Sequence, residues 1–209
     1  MVAETTERTV RGLRDFFLAC DADAMRRAYY VVAESDERAP VVEDWADVEF
    51  AFNRIFVGPR VVSAPPFASV YLDAQPSLMG PSSLEMRHLY EVVGLVSPWA
   101  GSMPDDHLGL ELDAFLQLRV ALADDDSTAL RPALQHLTAH MRAWLPRFGS
   151  RVRSDSRVPA AVLYMIDRLE EVIPAEDTEQ TTRSDPRGAR RLEPAGAQAW
   201  KRGERHDNG

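Results

Sequence analysis

Apolar residues recur at helical spacing in nearly every segment between residues 10 and 172. Val10, Leu13 and Phe17 fall at i, i+3 and i+7. Met25, Ala28, Tyr29 and Val32 repeat the pattern, as do Trp45, Val48, Phe52 and Ile55. Further on come Met86, Leu89, Tyr90 and Val93, then Leu130, Leu134, Leu137, Met141 and Trp144, and finally Val158, Val162, Met165, Leu169 and Val172. Such stripes bury one face of a helix and suit nothing else. Alternating strand patterns are scarce. "SVYLD" at 69–73 is the one short candidate, and it reads as extended loop or helix start. The pattern therefore predicts an all-α fold, a single compact helical domain with antiparallel neighbours where connections are short.

Local signals place some boundaries. Ser82 with Glu85 has capping-box spacing before "LEMRHLYEVVGL", and Gly94 is positioned to stop that helix. Pro146 is expected to end the stripe that begins at Leu130. Between Phe56 and Ser82 the chain carries Pro59, Pro65, Pro66, Pro76 and Pro81. A long connection of this kind inside a small domain points to function, and its prolines suit a fixed binding wall.

Charge divides the chain. Residues 174–209 hold seven acids and seven bases, with Leu192 and Trp200 as the sizeable apolar groups, so the net charge of −9 rests on residues 1–173. We read 1–173 as the helical domain and 174–209 as a disordered, charge-balanced tail that buries too little to repay its ordering entropy. An acidic body argues against nucleic acid as a partner and favours a basic polypeptide segment. No apolar run has the length to span a bilayer, and "MVAETTERTVRGLRDFF" lacks the apolar core of a secretory signal. A cytoplasmic protein without stable membrane insertion is the expectation. Cys20 is the sole cysteine, which excludes an intrachain disulfide and a cysteine-based zinc site, and it reads as a small core or boundary residue rather than a nucleophile.

"MPDDHLGLELDAFLQL", residues 103–118, is the most informative stretch for function. Its Asp105, Asp106 and His107 admit four readings: metal ligands, a proton-transfer pair, a helix cap, or part of a binding wall. Adjacent helical residues point about 100° apart, which weakens the proton-transfer reading. His136 and His140 share a helix face, but "HLTAH" lacks the glutamate of a zinc-protease motif. No phosphate loop or nucleophile elbow is present. A cap from Ser102 or Asp105, with Pro104 in the first turn, explains one acid. It leaves Asp106 and His107 free to face a ligand. Phe52, Phe56, Phe67, Tyr71 and Trp99 flank the proline-rich connection and this turn, and their convergence would make a peptide groove.

These stretches resemble the TorD/DmsD-type chaperones, the NarJ-related maturation factors of redox enzymes. "FNRIFVGP" is similar to the family's aromatic-x-x-Leu-Phe motif. "APPFASVYLDAQPSLMGPSSLEMRHLYEVVGL" is similar to its Pro-Pro-aromatic-x-Ser-Val-aromatic-Leu-Asp segment and the helix after it. "MPDDHLGLELDAFLQL" is similar to its Glu-Pro-x-Asp-His turn, and "HMRAWLPRFGSRV" at 140–152 to its His-Leu-x-x-Trp-x-Pro-x-Phe element. The four lie in family order and span about residues 10–173. Met103 stands where the family has glutamate, Phe67 where some members have tryptophan, and the tail lies outside the pattern.

The resemblance implies a cytoplasmic all-helical chaperone of the TorD/DmsD type. Its partner would be the catalytic-subunit precursor of a molybdenum-cofactor oxidoreductase of the DMSO-reductase type, bound through its twin-arginine signal peptide and assisted in cofactor loading before export. The implied peptide-binding residues are Pro66, Phe67, Ser69 and Tyr71 with Asp106 and His107, joined by Phe52 and Phe56, for which a core role is the stronger reading. No catalytic residue, metal or cofactor is implied. Two alternatives stand beside this reading. One is a chaperone that grips the enzyme body. The other is a metal-dependent hydrolase using Asp105, Asp106, His107, His136 and His140.

Overall fold

Two aspartates set the first helix starts. Asp21 and Asp44 each accept a main-chain N–H two or three residues on, from Ala24 and Ala46, both at 2.7 Å, and so cap α2 (Ala22–Ala33) and α3 (Trp45–Phe52). α1 (Val2–Phe17) precedes them. α4 (Ser69–Leu72), α5 (Pro81–Val92), α6 (Leu108–Asp124), α7 (Leu130–Arg153) and α8 (Ala160–Val172) follow. The computed structural model describes residues 2–34, 36–58, 62–75, 79–96, 101–124 and 130–173. Among these every regular element is helical. The described helices lie in one compact unit, Met1–Glu176. The rest of the chain, including the expected tail of 174–209 with Leu192 and Trp200, lies outside the described residues.

α1 packs on α2 and α6, α6 on α7, and α8 against α1, α2, α3 and α7. The predicted stripes supply the core. Leu13, Met25, Ile55, Met86, Leu137, Met141, Trp144, Val162 and Met165 are all buried. An aromatic column runs through it. Phe52 and Phe56 lie 4.8 Å apart, Phe56 meets Phe148 at 5.8 Å, and Phe148 meets Trp144 at 5.5 Å. α3 leads directly into a π-helical turn, Asn53–Val57, closed by the Gly58 amide on the Asn53 carbonyl at 2.8 Å. The wider turn lets both Ile55 and Phe56 reach the core.

Two boundaries differ from the sequence expectation. Ser82 does not cap α5: Gly80 precedes its first residue, and the Ser82 hydroxyl and amide instead donate to Asp73, at 2.5 and 3.2 Å. Asp73, the last residue of "SVYLD", thus supplies the acceptor from outside the helix. That segment is itself the short helix α4. Nor does Pro146 end α7, which runs on to Arg153. Phe148, Gly149 and Val152 continue the buried face, and their burial outweighs the bond that proline removes, a cost of about 3 kcal/mol. Gly94, at φ +71°, does lie just past the end of α5.

Candidate functional site

The proline-rich connection and the Pro104–His107 turn are fastened to each other by their main chains. The Leu108 amide donates to the Pro66 carbonyl at 2.9 Å, and the Ala68 amide to the Asp106 carbonyl at 3.1 Å. Phe67 and His107 pair as an isolated antiparallel bridge, and their rings meet edge to face at 5.0 Å. Segments forty residues apart in sequence therefore form a single wall at the start of α6.

Side chains complete the fastening. Asp106 is fully buried, and its Oδ2 accepts the Ser69 amide at 2.8 Å, at the first residue of α4. Its Oδ1 is buried with no partner among the described residues. His107 fills the position before α6. Its Nδ1 accepts the Gly109 amide at 3.0 Å, so the histidine caps the helix. Burial pushes the imidazole down to about 4, with Asp106 pulling the other way, and the ring is neutral at physiological pH. Glycine at 109 answers to space instead: a Cβ there would fall 2.5 Å from the Leu18 side chain, where the start of α6 crosses the end of α1.

This geometry corrects the expected division of labour in the turn. Asp105 is not the cap. Its carboxylate pairs with Arg87 of α5 at 2.9 Å, and its carbonyl takes the Tyr90 hydroxyl at 3.1 Å. Asp106 and His107 are not free to face solvent either, being 0% and 5% exposed. The reason is the main-chain bridge, which lays the 66–69 segment over the turn.

Behind the wall sits an acid the sequence reading did not single out. Glu111, one turn into α6 and fully buried, accepts from His140 Nε2 and Trp144 Nε1, both at 3.0 Å. Burial favours the neutral acid, opposed by the bonds from His140 and Trp144. For His140, burial lowers the affinity for a proton, but the bond to Glu111 outweighs it and the net direction is up. Glu111 shares the "HLGLE" stretch with the turn, yet nothing in its spacing signals a partner twenty-nine residues on. Trp144 stacks on Tyr71 at 5.6 Å, the Tyr71 hydroxyl donates to the Pro65 carbonyl at 2.9 Å, and Arg147 donates to the Tyr71 carbonyl at 2.6 Å. α7 is thereby tied to the same wall.

Of the eight implied peptide-binding residues, the structure gathers Pro66, Phe67, Ser69, Tyr71, Asp106 and His107 at this junction. Phe67 and Tyr71 keep part of their surface, whereas Pro66 and Ser69 are buried. Phe52 and Phe56, each 3% exposed, lie in the aromatic core. Trp99, Pro59 and Pro76 lie outside the described residues. The histidines of the hydrolase alternative do not converge: His136 pairs with Glu85 of α5 at 2.8 Å, and His140 with Glu111. Among the described residues no group of three or more His, Cys, Asp or Glu is arranged to hold a metal ion. Likewise none of the described helices is long and apolar enough to cross a membrane.

Fold and site together define an all-helical bundle whose Asp-His turn is clamped to a Pro-Pro-Phe segment. The chain belongs to the nitrate reductase delta subunit family, which matches residues 4–150. Among its relatives, the Tat proofreading chaperone DmsD of Salmonella typhi is 30% identical over 163 residues, 65% of this chain and 76% of the relative. The chaperone protein TorD of Vibrio cholerae serotype O1 is 30% identical over 138 residues, 63% of this chain and 62% of the relative. The TorD/DmsD resemblance read from the motifs is thus confirmed, and the family is one of chaperones rather than enzymes.

Proposed function

We propose that the chain is a cytoplasmic chaperone for a molybdenum-cofactor oxidoreductase of the DMSO-reductase type. It binds the twin-arginine signal peptide of the catalytic-subunit precursor and holds the enzyme back while its cofactor is loaded. The observation that carries this reading is the wall itself. Two partly exposed rings stand on it, Phe67 against His107 and Tyr71 against Trp144 and the Pro65 carbonyl, in a chain related to Tat proofreading chaperones. An apolar segment lying along these rings gains buried area without ordering the wall, because the main-chain bonds have already done so. The acidic body, net −9, favours the basic end of such a peptide and speeds its approach. Asp106 acts here as a positioning residue that fixes Ser69, and the rings of Phe67 and Tyr71 provide the contact.

A synthetic twin-arginine signal peptide titrated into the full chain tests the proposal. Binding at about micromolar affinity, near −8 kcal/mol, is the expected result. Phe67→Ala should weaken it about tenfold or more, the loss of one buried aromatic anchor. Affinity capture from the native host should recover a molybdoenzyme precursor with its leader intact. Capture of the leaderless enzyme body with no affinity for the peptide would favour a chaperone that grips the body instead.

A further inference from the structure

Farther along α6 lies a second concave surface of opposite character. Phe115 and Arg119 of α6, Leu134, Thr138 and Arg142 of α7, and Ile173 just after α8 line a groove of about 600 Å³. Arg119 lies twelve positions beyond His107, about 18 Å along the helix axis. The walls are mixed: Phe115, Leu134, Val172 and Ile173 share them with Thr138 and Gln135, and two arginines enter them. Arg119 lies over the Phe115 ring at 5.7 Å, and its contact to Glu7 is long, 3.4 Å. The Nε atoms of Arg119 and Arg142 are both buried with no partner among the described residues. Arg142 also makes no ion pair among the described residues, whereas Arg14, Arg54 and Arg168, similarly sheltered, each hold a carboxylate.

That vacancy runs against the composition. The chain carries 33 acids against 24 bases, so acids to pair with Arg142 are abundant, and none of the described ones is placed there. A partly buried guanidinium beside apolar side chains, with no carboxylate placed on it among the described residues, is complementary to an acid brought by a ligand. Exposed Gln135 and Ala139 lie on the rim, so a chain can enter and leave the groove at the surface.

We infer that this groove docks an acidic, apolar-flanked segment of a partner polypeptide. One carboxylate of the segment sits between Arg119 and Arg142, and flanking apolar side chains lie on Phe115, Leu134 and Ile173. The surface is separate from the Phe67–His107 wall and serves a ligand of the opposite charge.

The probe is a fluorescein-labelled hexapeptide, acetyl-LDFELL-amide, followed by anisotropy with the full chain. Its uncharged analogue, acetyl-LNFQLL-amide, should bind about tenfold more weakly or worse, and raised salt should weaken the acidic peptide alone. Arg142→Gln should lower affinity for the acidic peptide by about tenfold and Arg142→Lys by less, with helicity unchanged. If Arg142→Gln does not fold, Arg119→Gln carries the same expectation, since that side chain is 28% exposed. Affinity for a twin-arginine signal peptide should be unaltered in either variant, which separates failure here from failure of the proposed function. Equal affinity for both hexapeptides, or no effect of either substitution on a folded protein, overturns the inference. So does an arginine-dependent affinity for decanoate with none for the acidic peptide, which would mark a small-molecule site.

Discussion

Asp106 and Ser69, thirty-seven residues apart in the chain, meet through a 2.8 Å bond from the Ser69 amide to the buried Asp106 Oδ2. This contact makes the Asp106 carboxylate a support for the Phe67 wall, and stability and binding should fall together when it is removed. Asp106→Ala leaves a buried N–H unpaired and should cost about 1–3 kcal/mol in urea denaturation. Signal-peptide affinity should drop in the same variant by calorimetry. Asp106→Asn keeps an acceptor oxygen and should retain most of both. Wild-type stability in Asp106→Ala would sink the positioning role.

His107 predicts an acid-labile fold. Its imidazole is held at about 4 by burial, against an ordinary value of 6.5. Between those values the unfolded chain takes a proton that the folded chain excludes. The stabilisation is therefore present above about pH 6.5 and is lost as pH falls to 4, by up to about 3 kcal/mol. His140 works in the opposite sense, since its net shift is upward: its contribution is present at low pH and is lost as pH rises through its folded value. Comparing wild type with His107→Asn isolates the effect, because asparagine can still accept from Gly109. The acid limb of stability against pH should be shallower in the variant.

Glu111 should prove a structural acid. Glu111→Ala removes the acceptor for both His140 and the Trp144 indole, and should cost about 3 kcal/mol or more, since buried donors are left unpaired. Glu111→Gln can accept from the indole and donate to a neutral His140, and should cost much less. Denaturation with tryptophan fluorescence checks both, and equal losses would contradict the two-donor arrangement.

Phe56 and Phe67 should separate core from surface. Phe56→Ala opens a cavity among Phe17, Phe52 and Phe148 and should cost about 3–5 kcal/mol. Signal-peptide affinity of the folded fraction should stay unchanged. Phe67→Ala should reverse the balance, with a small loss of stability and a large loss of affinity. A Phe56 variant that stays stable but fails to bind would return that ring to the peptide site.

Helical periodicity was enough to give the fold class and most of the core, because each stripe from Leu13 to Leu169 has one face to bury and local spacing decides which. Residue type and order also marked the Pro-Pro-Phe segment and the Asp-His turn as the informative stretches. What the sequence could not assign was the partner of each polar group. Asp73 rather than Glu85 serves Ser82, His107 rather than Asp105 caps α6, and Glu111 meets α7. Pro146 stays within α7 because Phe148 and Val152 find a core to enter. These outcomes depend on contacts between distant segments. A carboxylate's choice among competing donors, and a helix's tolerance of proline, are decided by burial that exists only once the chain has folded.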